Sequence, residues 1–132
     1  MAFYTTLLKC KIHRARVTEA DLHYEGSCSI DQDLMKASGL VAHEHIHVWN
    51  VSNGNRFETY VIPAPKGSGM VKINGAAAHQ AKRGDLIIIT SFAHYDNGAM
   101  KKHRPRVVFV DDKNRVKKIA HKSGSADPLP VI

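Results

Sequence analysis

The chain has little of what marks a disulfide scaffold, a membrane protein or a nucleic-acid reader. It holds two cysteines, Cys10 and Cys28, too few for a disulfide framework and without metal-type spacing. Both read as free thiols of a reducing compartment. Tryptophan occurs once, and no aromatics are interleaved with the cations as a single-strand nucleic-acid groove requires. No apolar run is long enough to span a bilayer, and the start Met1-Ala2-Phe3-Tyr4-Thr5 lacks the charged-then-apolar form of a signal peptide. A cytoplasmic location with no membrane partner is the expectation. Acidic residues are scarce from Lys101 to Lys122, where nine Lys and Arg face only Asp111 and Asp112; this segment carries the whole formal charge of +7. With no recognition helix in sight, the segment reads as a solvated basic hairpin, and no nucleic-acid partner is expected.

What is present points to many short strands. The 132 residues suffice for one domain, 1–132, with a single core. Tyr4 to Val17 reads as a strand with Cys10, Ile12 and Arg14 on one face and Lys9, Lys11, His13 and Ala15 on the other. Asp31 to Ser38 reads as a short helix, capped by Asp31 and stopped by Gly39. His45 to Val51 and Arg56 to Ile62 flank Asn53-Gly54, the strongest hairpin signal in the chain. After a loop from Pro63 to Gly69, Met70 to Ile73 is a short strand, and Asn74 to His79 is a turn with one helical turn at most. Leu86 to Thr90 is a buried strand, and Arg106 to Val110 with Arg115 to Ala120 forms a second hairpin around Lys113-Asn114. The Gly-, Ser- and Pro-bearing tail, Ser123 to Ile132, reads as loose. The fold class is mainly β, a small closed barrel with one or two short helices.

One segment carries chemistry. In Asp21-Leu22-His23-Tyr24-Glu25-Gly26-Ser27-Cys28-Ser29-Ile30-Asp31, a serine follows a glycine among polar neighbours. A serine hydroxyl so placed can attack the carbonyl of the preceding peptide bond, and glycine leaves room for the strained backbone this requires. Elimination from the resulting ester leaves dehydroalanine and then a pyruvoyl group, an electrophile built from the chain itself. Two other Gly-Ser pairs, Gly67-Ser68 and Gly124-Ser125, lie in ordinary loops. In Arg56-Phe57-Glu58-Thr59-Tyr60-Val61, alternation puts Arg56, Glu58 and Tyr60 on one face and Thr59 on the other. His43, His45 and His47 alternate ahead of Trp49; half-exposed strand histidines are commoner than metal sites, so no metal is expected.

From Tyr4 to Ala120 the chain resembles the aspartate 1-decarboxylase family. The resemblance rests on Lys11-Ile12-His13-Arg14, Ala20 through Cys28, Ile30-Asp31-Gln32-Asp33, Trp49-Asn50-Val51, Asn53-Gly54, Arg56-Phe57, Thr59-Tyr60, Asn74 through His79 and Gly84-Asp85, all in order. It implies a double-psi β-barrel, a homotetramer with sites between subunits, and self-cleavage of Gly26-Ser27 into a β chain, 1–26, and an α chain, 27–132. Ser27 would become a covalent pyruvoyl cofactor that takes the amine of L-aspartate as a Schiff base, giving β-alanine and carbon dioxide for pantothenate and coenzyme A synthesis. By the same resemblance Tyr60 is the proton donor. Thr59 and Asn74 serve cleavage, while Lys11, Arg56, Thr59, Gly75, Ala76 and Ala77 bind substrate. His13, Tyr24, Glu25 and Trp49 are supporting residues, and a maturation helper protein is a possible partner. Two rivals stay open: a barrel that has lost the chemistry and binds an anionic partner, and a decarboxylase for another acidic amino acid such as glutamate. One methylene distinguishes glutamate by only about 1–3 kcal/mol.

Overall fold

The computed structural model describes residues 3–122; the tail expected to be loose, Ser123 to Ile132, lies outside them. Nine strands and two short helices follow in the order β1 (Tyr4–Arg16), β2 (Glu19–Asp21), β3 (Ser27–Asp31), α1 (Gln32–Ser38), β4 (His45–Asn50), β5 (Arg56–Ala64), β6 (Val71–Asn74), a 3-10 turn (Gly75–His79), β7 (Leu86–Asp96), α2 (Asn97–Lys102), β8 (Arg106–Val110) and β9 (Val116–Ala120). The mainly β class holds. Among the described residues no helix is long and apolar enough to cross a membrane.

The strands form one sheet in the order β2-β6-β3-β5-β4-β7-β1-β8-β9, whose ends are not joined by a ladder. The small barrel expected from the sequence is thus not closed by hydrogen bonds. The wall is instead drawn round by the chain. Only Val17 and Thr18 separate β1, near one end of the order, from β2 at the other. Thr18 locks the crossing: its N–H donates to the Val71 carbonyl at 2.9 Å, and its hydroxyl accepts from the Val71 N–H at 3.0 Å. Both ends then share one core, in which Ile12 of β1, Ile30 of β3, Val48 of β4, Ile73 of β6, Ile89 of β7 and Val108 of β8 are fully buried.

Local departures from the expected strands have local causes. β1 does not keep its alternation past Ile12: Arg14 takes φ 63°, the register against β7 slips there, and Ala15 turns inward while Arg14 is exposed. The slip is a β-bulge. β7 runs on to Asp96 because residues 91–96 pair with the first half of β1, which supplies a partner where the apolar run ends. β5 continues through Pro63, which aligns with Ile30 of β3. β2, β3 and α2 were not expected. They are too short to show a period, and pairing or the Asp96 cap makes them. The nine cations of the basic segment are all exposed, on α2, the β8–β9 hairpin and their flanks.

Asp31 joins the segment that matters most to its surroundings. Its buried carboxylate caps α1 by accepting from the Asp33 N–H at 2.8 Å. It also accepts from the Gly67 and Gly69 N–H groups at 3.0 and 2.8 Å, which ties down the loop ahead of β6. Asp31→Ala removes the cap and strands two amides, a cost of about 3 kcal/mol. The urea midpoint should fall while the slope holds; an unchanged midpoint would show that water replaces the carboxylate at no cost.

Candidate active site

The Gly26–Ser27 bond lies where an exposed loop enters the barrel wall. Residues 22–26 are exposed, and 27–31 are buried without exception. Pairing explains the change, since β3 is flanked by β6 on one side and β5 on the other. Ser27 opposes Asn74 in the antiparallel ladder with β6, so their side chains meet. The Ser27 hydroxyl donates to the Glu25 carbonyl at 3.1 Å and accepts from Asn74 Nδ2 at 3.0 Å. Asn74 Nδ2 also donates to the Ser29 hydroxyl at 3.0 Å. Asn74 Oδ1 is buried and has no partner among the described residues. A buried amide with its acceptor unused is costly for stability.

The residue after Asn74 presses on the same bond. Gly75 has φ 71°, and a Cβ there would stand 2.6 Å from Gly26 Cα and 2.8 Å from Gly26 N. Only glycine permits this backbone-on-backbone approach. Asn74 precedes the 3-10 turn but makes no side-chain cap to it. The N–H groups that open the turn, at Gly75, Ala76 and Ala77, therefore lack the side-chain acceptor that usually covers them. On Gly26 itself a Cβ would meet nothing within 4 Å, so the close approach constrains position 75 and not position 26.

Tyr60 belongs to this cluster by register. Cys28 pairs with Val61 in the parallel β3–β5 ladder, so one residue back Ser27 and Tyr60 share the opposite face. Thr59 is half-buried on the side of Phe57 and Val61, as the alternation indicated, and the same register sets it level with Gly26. Tyr24 and Glu25 are exposed in the loop. Lys72 of β6, absent from the sequence reading, holds this loop: Nζ stands 4.3 Å from the Tyr24 ring centroid, 3.9 Å from Asp21 Oδ2 and 4.0 Å from Glu19 Oε1. Ser29 was missed as well, though Ser27 and Ser29 at a two-residue spacing carry the strand signal that places both hydroxyls on Asn74.

The expected cations lie elsewhere on the sheet. Arg56 opposes Trp49 across the β4–β5 hairpin, its guanidinium 4.8 Å from the ring centroid, beside a cavity of about 340 Å³ lined by His47, Trp49, Arg56, Phe57, Glu58 and Phe92. Four residues of strand separate Arg56 from Tyr60, about 13 Å. Lys11 aligns with Thr90, His47 and Glu58 across β1, β7, β4 and β5, and so lies three strands from Glu58, about 14 Å. His13 packs edge-on against Phe109 at 5.6 Å with Nδ1 buried and unpaired among the described residues. Burial, with the charges of Lys11 and Arg14, holds its pKa below the ordinary imidazole value. Ser27, Asn74 and Gly75 meet in a single chain, Tyr60 stands level with Ser27 on β5, and Arg56 stacks on Trp49 farther along the hairpin.

The family model described as aspartate decarboxylase matches residues 3–117. The chain belongs to the aspartate decarboxylase family. It is 54% identical to "Aspartate 1-decarboxylase 2" of Polaromonas sp. (strain JS666 / ATCC BAA-500) over 119 residues, 90% of this chain and 94% of that protein. It is also 54% identical to an aspartate 1-decarboxylase of Leptothrix cholodnii (strain ATCC 51168 / LMG 8142 / SP-6), over 88% of each chain. An aspartate 1-decarboxylase of Laribacter hongkongensis (strain HLHK9) shares 51% over 84% of this chain and 87% of its own. Membership covers the loop, both glycines of the Gly26–Gly75 contact, and Asn74.

Both cysteines are free, and burial pushes the thiols up, Cys10 to about 11 and Cys28, next to Ser27, to about 12. Thiolate is therefore absent at neutral pH, and neither competes as a nucleophile. In the native protein at pH 8, iodoacetamide should leave both unlabelled, and denaturant should expose both. Rapid native labelling of Cys28 would show that β3 opens.

Proposed function

We propose that the chain is the precursor of a pyruvoyl-dependent aspartate 1-decarboxylase, which cuts its own Gly26–Ser27 bond and then converts L-aspartate to β-alanine and carbon dioxide, feeding pantothenate and coenzyme A synthesis. The observation that carries this reading is the buried Ser27 hydroxyl, held by Asn74 and Glu25 beside a bond on which Gly75 presses. Family membership supports the substrate.

Cleavage needs no outside reagent but water. Ser27 Oγ adds to the Gly26 carbonyl carbon, the bond to the Ser27 nitrogen breaks, and that nitrogen keeps the hydroxyl's proton. Asn74 Nδ2 holds Ser27 Oγ, the oxygen that takes up negative charge when it leaves as part of the Gly26 carboxylate in the next step. Loss of the Cα proton of residue 27 then expels the Gly26 carboxylate and leaves dehydroalanine. Its imine form takes up water and releases ammonia, so that a ketone starts the α chain, 27–132, and the β chain, 1–26, ends in a carboxylate.

The pyruvoyl group supplies an electron sink for the pair left on the α-carbon as carbon dioxide departs. The chain's own residues do the rest. The N–H groups of Gly75, Ala76 and Ala77 face a carboxylate at the opening of the 3-10 turn. Tyr60 holds its phenolic proton on the Ser27 face and delivers it to the α-carbon. Arg56, with Lys11 adding charge, binds the second carboxylate through its planar fork. The α-carbons of Tyr60 and Arg56 lie about 13 Å apart along β5, and the Arg56 side chain is stacked on Trp49. In this reading Arg56 and Lys11 come from a neighbouring subunit of a homotetramer, with Trp49 as the platform under Arg56 and His13 beside Lys11. Thr59, on the other face of β5 and level with Gly26, takes part in cleavage and in substrate contact. The exposed loop carrying Tyr24 and Glu25 is where a maturation helper would act.

Intact mass of the denatured protein after warm incubation should show two chains split after Gly26, the larger lighter by one ammonia than a serine-started chain. A chain that stays whole even with host extract would sink the reading. Asn74→Ala should slow cleavage by on the order of 100-fold while the fold persists, the usual cost of one oxyanion donor. Gly75→Ala should block it by forcing Gly26 away.

In the cleaved enzyme, Arg56→Lys should raise KM for L-aspartate by roughly tenfold or more, through the lost bidentate pair. Tyr60→Phe should lower kcat by about 100-fold or more with KM little changed. The opposite split between KM and kcat would exchange the two roles.

A further inference from the structure

The outer face of the β4–β5 hairpin carries a cluster that the decarboxylation chemistry does not use. The sequence places His43, His45 and His47 at alternate positions, but β4 begins at His45. His43 lies before it with φ 72°, its ring 6.3 Å from that of Tyr60. The third member comes from β5 instead. His47 directly opposes Glu58, and His45 is the diagonal neighbour on the same face. His45 Nε2 lies 2.7 Å from Glu58 Oε1, and His47 Nε2 lies 3.6 Å from the same oxygen. One donor atom from each of the three residues falls within 4.8 Å of the others.

The geometry points to a three-ligand site for one divalent transition-metal ion, formed by His45, His47 and Glu58, with a remaining position open to water. Tetrahedral zinc with bonds of about 2.0–2.2 Å holds its ligand atoms roughly 3.3 Å apart, and the two Glu58 distances bracket that spacing. Small side-chain rotations on a paired hairpin close the set. Two neutral imidazoles and one carboxylate suit zinc, nickel and copper, and not the hard oxygen-seeking cations. Both imidazoles turn to the same Glu58 oxygen, so three donor groups converge on one point. In the single chain the side chains of His45 and Glu58 are 65% and 60% exposed. Trp49, the sole tryptophan, lies two residues beyond His47 on the same face and reports on the site.

The proposal goes beyond the decarboxylase reading and is independent of cleavage. It is tested on the purified full-length protein by equilibrium dialysis with zinc chloride, and by Trp49 fluorescence during titration with nickel chloride. Expected are one zinc per chain, quenching by nickel, and recovery on adding a chelator. His45→Gln, His47→Gln and Glu58→Gln should each weaken zinc binding at least about tenfold, since losing a ligand costs no less than losing its support. His43→Gln should leave binding unchanged. Circular dichroism melts of each variant separate lost ligation from lost fold. Retention of zinc by the His45→Gln/His47→Gln double variant, or equal weakening by His43→Gln, overturns the site, as does the absence of stoichiometric binding.

Discussion

The contact on which the rest depends is the approach of Gly75 to Gly26, a 3-10 turn pressed against an exposed loop with no side chain between them. It requires a positive φ at Gly75, which fixes how the chain leaves β6. That in turn sets Asn74 opposite Ser27 and leaves the turn's first N–H groups uncapped. A methyl group at position 75 would separate the two segments and lose all three arrangements. The fold tolerates a buried, half-satisfied amide at Asn74 because the ladder between β3 and β6 holds it there.

That ladder exists because the barrel wall is wound, not stacked. β3 is sandwiched between β6 and β5, both later in sequence, and β2 reaches β6 only because β1 turns through Val17 and Thr18 into the opposite edge. The parallel pairings β1–β8, β2–β6 and β3–β5 follow from this crossing. Buried polar side chains lock the joints. Asp31 fastens the loop at Gly67 and Gly69, while Asn114 accepts from the Arg16 N–H and donates to the Arg16 and Gly69 carbonyls. Glu44 takes two bonds from Lys9 and one from Ser91. Burial would raise the Glu44 carboxyl, but these donors outweigh it and hold it below its ordinary value.

Charge is sorted by position along this wall. The basic segment is exposed at the far end of the sheet order, on β8, β9 and α2, with its cations in water. Lys11 and Arg56 lie on the face that also carries Trp49, Glu58 and Tyr60. Net charge alone therefore says little about the substrate. Arg56 begins β5, half the strand's length before the level of Ser27.

Much of this was legible before any coordinates. The Asn53-Gly54 hairpin, the helix between Asp31 and Gly39, and the turn at Lys113-Asn114 are specified by local chemistry: αL positions, a cap and alternation. Alternation in β5 already put Thr59 on the other face from Arg56 and Tyr60. Motif order along the chain carried the family, and with it Ser27. Tertiary structure alone decided the rest. β2 and β3 are too short to show a period and exist through their partners. The bulge at Arg14 is invisible to a two-residue alternation. Lys72, Ser29 and Glu58 reach their sites only through cross-strand register, which joins residues far apart in sequence. Local preference is written into neighbouring residues; pairing is decided by which strands the wound wall brings together.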